Sequence, residues 1–306
     1  MTSTGQQENL TGTAALVTGG TDGIGKAIAR KLVAAGADVY IVGSDPAKGA
    51  KAERELRALS SCAGAHFLRA DLSLVRDTDR LAVEVMRRVP KLHRLILCAG
   101  MVRGRRTITA EGIEANFALN YLSRFVLTQH LLPFVAAAGT ANAAARILTI
   151  GGAARNGKIH YDDINLSRNF GIFTVVPQFC RANDLFVLEQ ARRIAREPGG
   201  RITIHELKLG VVKTGIRNGF PLWMKLLVPL LFDPFLALTP DQVSREGFRM
   251  LTAPEFARTT TALHLMIRKV KHIPASPDDL SQAARLWEFS LKLTEQARAH
   301  ALPQSA

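Results

Sequence analysis

The sequence predicts an α/β fold, a doubly wound parallel sheet in one domain, on three observations. An apolar run, Ala14-Ala15-Leu16-Val17, leads into Thr18-Gly19-Gly20-Thr21-Asp22-Gly23-Ile24-Gly25 and then a stretch of helical periodicity, Lys26 to Val33. Strand-like and helical stretches alternate along the rest of the chain, the pattern of a parallel sheet covered on both faces. The early strand-like runs are almost continuously apolar, as strands buried on both sides are.

In order, strands are expected at 14–18, 39–43, 66–69, 92–98, 146–150, 201–207 and 263–267, with helices at 48–59, 74–89, 111–135, 183–196 and 240–252. Crossovers between parallel strands should be right-handed. No repeat, low-complexity tract or linker divides the chain. A short polar tail (1–10) should precede a single domain (11–306) with a C-terminal helix and an apolar, lid-like insertion at about 215–238.

That insertion departs from the rhythm. The segment from Phe220 to Leu238 approaches the length of a membrane span, but Lys225, Asp233, Pro221, Pro229 and Pro234 interrupt it, so a spanning helix is not expected. It reads instead as a lid over an apolar substrate, a patch resting on a membrane surface, or a buried helix pair.

At 306 residues and 47% hydrophobic content the chain can bury a large core. Its net charge of +14 is spread along the chain, and the densest cluster is Arg103, Arg105 and Arg106. Without a basic stripe or interleaved aromatics this excludes a nucleic-acid partner and leaves a basic surface that attracts anions. Cys62, Cys98 and Cys180 are widely spaced, with no metal-ligand pattern, and Met1 to Leu10 has no apolar leader core. A reduced, cytoplasmic setting without a bound metal is expected.

The glycine stretch carries the first chemistry. Glycines let the backbone turn sharply and approach a ligand, and a helix beginning there presents unpaired N–H groups to an anion. A glycine-rich turn can also simply join a strand to a helix. Opening a βαβ unit, this one points to a bound dinucleotide.

Further landmarks follow in order: Ala70-Asp71-Leu72, Cys98-Ala99-Gly100, Leu119-Asn120-Tyr121, Ala145–Ile150, Asp162-Asp163-Ile164-Asn165, Gly210-Val211-Val212-Lys213-Thr214 and Ala284–Ser290. With the glycine loop they resemble the short-chain dehydrogenases/reductases, and within them the retinol-dehydrogenase-like branch, from Leu16 to about Leu293. The resemblance implies a Rossmann-type fold and an NAD(P) cofactor. It puts Gly19, Thr21, Gly23, Ile24 and Gly25 at the pyrophosphate and Asp71 with Leu72 beside the adenine. It also puts Ala99 and Gly100 against the cofactor, Thr214 near the nicotinamide carboxamide, and Asn120 in a water-mediated proton relay. Two of these have plain alternatives: Asp71 as a helix N-cap and Asn120 as a buried amide satisfied locally. Where an acidic residue would favour NAD(H), the chain has Gly43, followed by Ser44 and a displaced Asp45. Asp45 could repel a 2′-phosphate, and Ser44 and Lys48 could receive one; the missing carboxylate at Gly43 tips the balance to NADP(H).

The family's reaction needs a serine, a tyrosine and a lysine four residues after the tyrosine. A free phenol, with a pKa of about 10, is a poor base near neutrality, and a nearby cation lowers it. Here the serine position reads Gly152, the tyrosine position Val176 and the lysine position Cys180. Tyr161, with Asn165 four residues on, reads as a turn residue. His160, His205 and above all Lys208, near the end of the sixth strand, are candidate proton carriers, whereas Cys180 reads as a small core thiol. Three functions are compatible with this pattern. One is an unusual catalyst, for cyclisation, isomerisation or elimination on an apolar molecule. The others are an atypical NADP(H) oxidoreductase using Asn120, Lys208, a histidine or water as proton source, and a non-catalytic binding protein or partner subunit. The family's habit of self-association implies a homo-oligomer through the helices at 111–135 and 183–196.

Overall fold

The computed structural model describes residues 8–300 except 62, 141–142, 154–156, 197–200, 211–237, 258–262, 267–269 and 274. Strands β1 (Ala14–Thr18), β2 (Asp38–Gly43), β3 (Ala65–Arg69), β4 (Arg94–Leu97), β5 (Ala145–Gly152), β6 (Ile202–Leu209), β7 (Leu263–Met266) and β8 (Val270–Ile273) form one sheet. Its order is β3-β2-β1-β4-β5-β6-β7-β8. The first seven pair in parallel and β8 runs antiparallel to β7. This is the predicted doubly wound sheet, and the sequence pattern missed only β8.

Among the described residues, seven longer helices cover it. Helices α1 (Gly23–Ala34) and α2 (Pro46–Arg57) lie on one face. Helix α3 (Val75–Arg88) lies on the other, and α4 (Ala115–Phe117) runs through a π-helical turn, Ala118–Leu122, into α5 (Ser123–Ala138) there. Next come α6 (Ile172–Ile194), α7 (Pro240–Thr252) and α8 (Pro277–His300). The predicted α7 bounds match: Thr239 and Gln242 form a capping box, with a proline in the first turn. Helix α6 starts eleven residues before the predicted 183, because Pro177 and a run of β-branched residues hide the periodicity of its first turns.

Alternate strand residues feed two buried layers. Leu16, Leu95, Leu97, Ile147 and Ile204 meet α3, α5, α6 and α8. Val17, Ile41, Ile96, Leu148 and Leu207 meet α1, α2 and α7. Helix α8 lies across α5 and α6, on the surface expected to serve self-association. Trp287 stacks edge-on against Phe125 at 5.1 Å, and Ser290 Oγ and Tyr121 Oη share a hydrogen bond of 2.6 Å. Arg298 donates twice to Asp79, at 2.8 Å each, and Asp79 also holds His130 at 2.7 Å. Among the described residues no helix is long and apolar enough to cross a membrane. The insertion from Phe220 to Leu238 lies, except for buried Leu238, outside the described residues.

Candidate active site

Strand order reverses between β1 and β4, and open α/β sheets bind ligands outside the C-terminal strand ends at such a point. Thr18, at the end of β1, ties that edge together. Its Oγ1 accepts from Cys98 N at 2.9 Å and Ala99 N at 3.1 Å, and donates to Ile96 O. Gly19 (φ 67°) and Gly23 (φ 54°) then take left-handed backbone that favours glycine. A Cβ on Gly19 would lie 2.8 Å from Ala99 Cα, and one on Gly25 would overlap the carbonyl of Gly19. Asp22 caps α1 by accepting from Gly23 N at 2.7 Å. The structure thus brings Gly19, Thr21, Gly23, Ile24 and Gly25 together as a tight cradle at a helix N-terminus, against Ala99. That cradle fits a dinucleotide pyrophosphate.

Ser44 is exposed after β2. A Cβ on Gly43 would come within 2.8 Å of the Thr21 methyl, so a side chain there would require Thr21 to turn aside. The Asp45 carboxylate is engaged by Ala47 N and Lys48 N, at 2.9 and 3.1 Å, as the cap of α2. Asp71 is exposed and holds Ser73 N and Oγ, while Leu72 is buried. Asp71 is not the cap of α3: Glu111 takes that role, receiving Val75 N and Arg76 N. Gly100 is exposed beside Ala99. Thr214 lies outside the described residues.

At the ends of β5 and β6 the arrangement differs. A Cβ on Gly152 would meet Cys180 Sγ at 2.8 Å, so the positions matched to the family's serine and lysine are neighbours in space, and one thiol fills the gap. Val176 is half-buried one turn earlier on α6. A Cβ on Gly151 would overlap the Glu206 carboxyl. Asn120 sits in the π-helical turn, and its Nδ2 donates to Met101 O and Asn116 O, at 2.8 Å each. Its backbone carbonyl accepts from Asn183 Nδ2 at 3.0 Å. Both Nδ2 protons are thus engaged locally, while Oδ1 lies 2.7 Å from where a Cβ on Gly100 would sit.

Lys208 does not reach the cleft as a strand-end proton carrier would. It is 1% exposed, and its Nζ binds both carboxylate oxygens of Asp184 on α6. It belongs to a buried quartet with Asp184, Glu206 and Arg124, which sequence reasoning missed apart from Lys208. Arg124 Nη1 donates to Asn183 Oδ1 at 3.2 Å and Nη2 to Ala99 O at 3.1 Å, and Nε has no partner. Glu206 stands beside Asp184, and no N–H or hydroxyl donor reaches either of its oxygens. Burial, then the charge of Asp184, holds the Glu206 carboxyl well above the usual carboxylate range. Burial raises Asp184 as well, against the pull of Lys208, and lowers Arg124. Burial also pushes the Cys98 thiol up to about 11, leaving it uncharged near neutrality. The available signal was charge inside apolar strand and helix: Glu206 and Lys208 between Ile204 and Leu209, and Asp184 before Leu185-Phe186.

His205 faces the opposite layer and donates or accepts through Nε2 at Phe256 O, 2.9 Å away. Tyr161 carries the Arg285 guanidinium over its ring at 4.1 Å. Among the described residues no group of His, Cys, Asp and Glu is placed to hold a metal ion.

A sequence profile of short chain dehydrogenases matches residues 13–161. Human polyprenol dehydrogenase is 30% identical over 243 residues, covering 79% of this chain and 73% of its own length. Mouse retinol dehydrogenase 12 is 32% identical over 286 residues, covering 93% and 87%. The chain belongs to the short-chain dehydrogenase/reductase family. This is an NAD(P)-binding family of oxidoreductases. In fold it is similar to the Pseudomonas aeruginosa RhlG/NADP complex, with a TM-score of 0.67 at 23% identity over 84% of this chain and 95% of that one. A Burkholderia cenocepacia short-chain dehydrogenase in complex with NADP gives 0.64 at 21% identity, over 82% and 95%.

Proposed function

We propose that this family member binds NADP(H) and an apolar small molecule with its standard proton-transfer trio replaced, and that it acts on that molecule by a reaction other than ordinary alcohol–carbonyl exchange. Cyclisation, isomerisation or elimination fits a site that works by shape and fixed dipoles. The observation that carries this reading is Cys180 Sγ against Gly152: one small thiol fills the space a serine hydroxyl and a lysine cation would share. Val176 at the tyrosine position offers no proton. Lys208 is locked to Asp184 and both Asn120 Nδ2 protons are engaged, so neither stands ready as a substitute donor.

An apolar substrate is supported by exposed Met101, Ile108 and Phe173, the last 77% exposed, beside the loop after β4 and at the start of α6. The named activities of the relatives, on polyprenol and retinol, agree with such a ligand. NADP(H) is supported by the missing carboxylate at Gly43 and the engagement of Asp45 in its helix cap.

The test pairs calorimetry with turnover. The native chain should bind NADP(H) and show no reduction of long-chain aldehydes or ketones. Gly152→Ser with Val176→Tyr and Cys180→Lys should gain that reduction, the tyrosine losing its proton readily only beside the cation. Robust reduction by the native chain would overturn the proposal. Absence of dinucleotide binding would leave a binding protein or partner subunit without cofactor chemistry.

A further inference from the structure

We propose that the cleft between the loop after β5, helix α6 and the first turns of helix α8 is a second binding site, which takes a small polar molecule carrying one carboxylate or phosphate group. It stands apart from the dinucleotide reading: none of its lining residues belongs to the glycine cradle or to the contact between Gly152 and Cys180.

The cleft measures about 700 Å³, and its charged and aromatic walls are Lys158, Tyr161, Arg181, Asp278, Asp279 and Arg285. That is the size of a small-molecule site. Most such sites are apolar, whereas charged groups from all three elements face this one, so its occupant must be polar. Close backbone contact builds the wall on the α6 side. A Cβ on Gly157 would overlap the Pro177 carbonyl oxygen and lie 2.8 Å from Arg181 Cβ, so only glycine lets the loop lie against α6. On the α8 side the Arg285 guanidinium lies over the Tyr161 ring at 4.1 Å, and Phe289 supports that ring edge-on at 5.2 Å. Stacking covers a face of the guanidinium and leaves its N–H edge for a planar acceptor.

The carboxylates of the cleft are already engaged. Arg181 Nη1 holds Asp279 at 2.6 Å, and Asp279 also accepts from Ser276 N and Oγ, at 2.7 Å each, where the chain enters α8. Asp278 accepts from the Gln282 amide. Among the described residues no carboxylate pairs with Lys158 or Arg285. Three cations therefore face two carboxylates, an excess of one positive charge that a single anionic group balances. A guanidinium fork beside an ammonium suits an oxyanion, carboxylate or phosphate, since the fork can donate two parallel bonds and the ammonium acts as a point charge.

The experiment titrates the full chain by calorimetry with gluconate, glucose 6-phosphate and glucose. At least one of the anions should bind and glucose should not, the tighter anion telling carboxylate from phosphate. Arg285→Gln and Lys158→Gln should each weaken that binding roughly tenfold, by loss of a charged hydrogen bond. Asp278→Asn removes a repelling charge from the same cleft and should tighten it, a change in sign that a merely structural role does not produce. Arg105→Gln, at an exposed arginine outside the cleft, should change nothing. An excess of NADPH should leave the affinity as it was. Binding of neither anion, equal binding of glucose, weaker binding in Asp278→Asn, as large a loss in Arg105→Gln as in Arg285→Gln, or displacement by NADPH would each overturn the inference. If Arg285→Gln fails to fold, Lys158→Gln and Asp278→Asn decide. A chain that binds the anion and not NADPH would sink the cofactor reading alone.

Discussion

The two ends of the C-terminal sheet edge use glycine for opposite purposes. At β1, Gly19, Gly23 and Gly25 let the backbone fold on itself, and what would strike an added Cβ is other backbone, Ala99 Cα or the Gly19 carbonyl. At β5, Gly151 and Gly152 make room for side chains, the carboxyl of Glu206 and the thiol of Cys180. The first end is a cradle whose form follows from the chain path. The second is a packing solution in which a carboxyl and a thiol from other elements occupy the space beside the strand end. The difference teaches that a glycine near a ligand-binding edge has no meaning until its neighbours are known.

Three interventions separate the two ends, taken from the largest expected effect downward. At the side-chain end, Lys208→Met strands the Asp184 carboxylate in the interior and should cost about 3–5 kcal/mol of stability by urea unfolding. Adding Asp184→Leu should recover most of it, since a buried ion pair contributes little beyond an apolar pair of similar volume. A single mutant as stable as the native chain would show that water reaches the quartet.

Acid acts on the same strand from its other face. Burial holds His205 at about 4, below its ordinary 6.5, with Arg146 a smaller contributor. Above pH 6.5 the histidine is neutral in both folded and unfolded chains. As pH falls from 6.5 to 4 only the unfolded chain takes up the proton, so stability drops across that window by about 3 kcal/mol. His205→Gln should flatten that part of the profile, measured as the urea midpoint against pH. An unchanged slope would assign the acid sensitivity to other groups.

The backbone end should respond in binding more than in stability. Gly25→Val drives a side chain into the Gly19 carbonyl, and the loop must shift away. Overpacking of this kind costs about 1–3 kcal/mol, or roughly tenfold to a hundredfold in dinucleotide affinity. Calorimetry reads it directly, and unaltered affinity would take the cradle out of the binding site.

The contrast also explains what the sequence made legible. Strand periodicity and the glycine run report backbone behaviour, so the seven parallel strands and the loop at Thr18–Gly25 were readable from local pattern. That Cys180 fills the space at Gly152, that Glu206 fills the space at Gly151 and that Lys208 turns inward to Asp184 depend on contacts between distant segments. No local window contains both partners. The π-helical turn at Ala118–Leu122 and the edge strand β8 escaped for a similar reason: each is short, and its stability comes from neighbours.

The clasp between Arg298 and Asp79 joins residues 219 apart in the chain, and Trp287 of the same helix seals Phe125 from water. During synthesis, the surface that Trp287 covers is made long before Trp287 leaves the ribosome. Until then a nascent chain carries an apolar scar on α5 and α6. Helix α8 thus acts as a timing device in biogenesis: the body can begin to fold early, but the apolar surface of α5 and α6 is closed only once Pro277–His300 has been delivered.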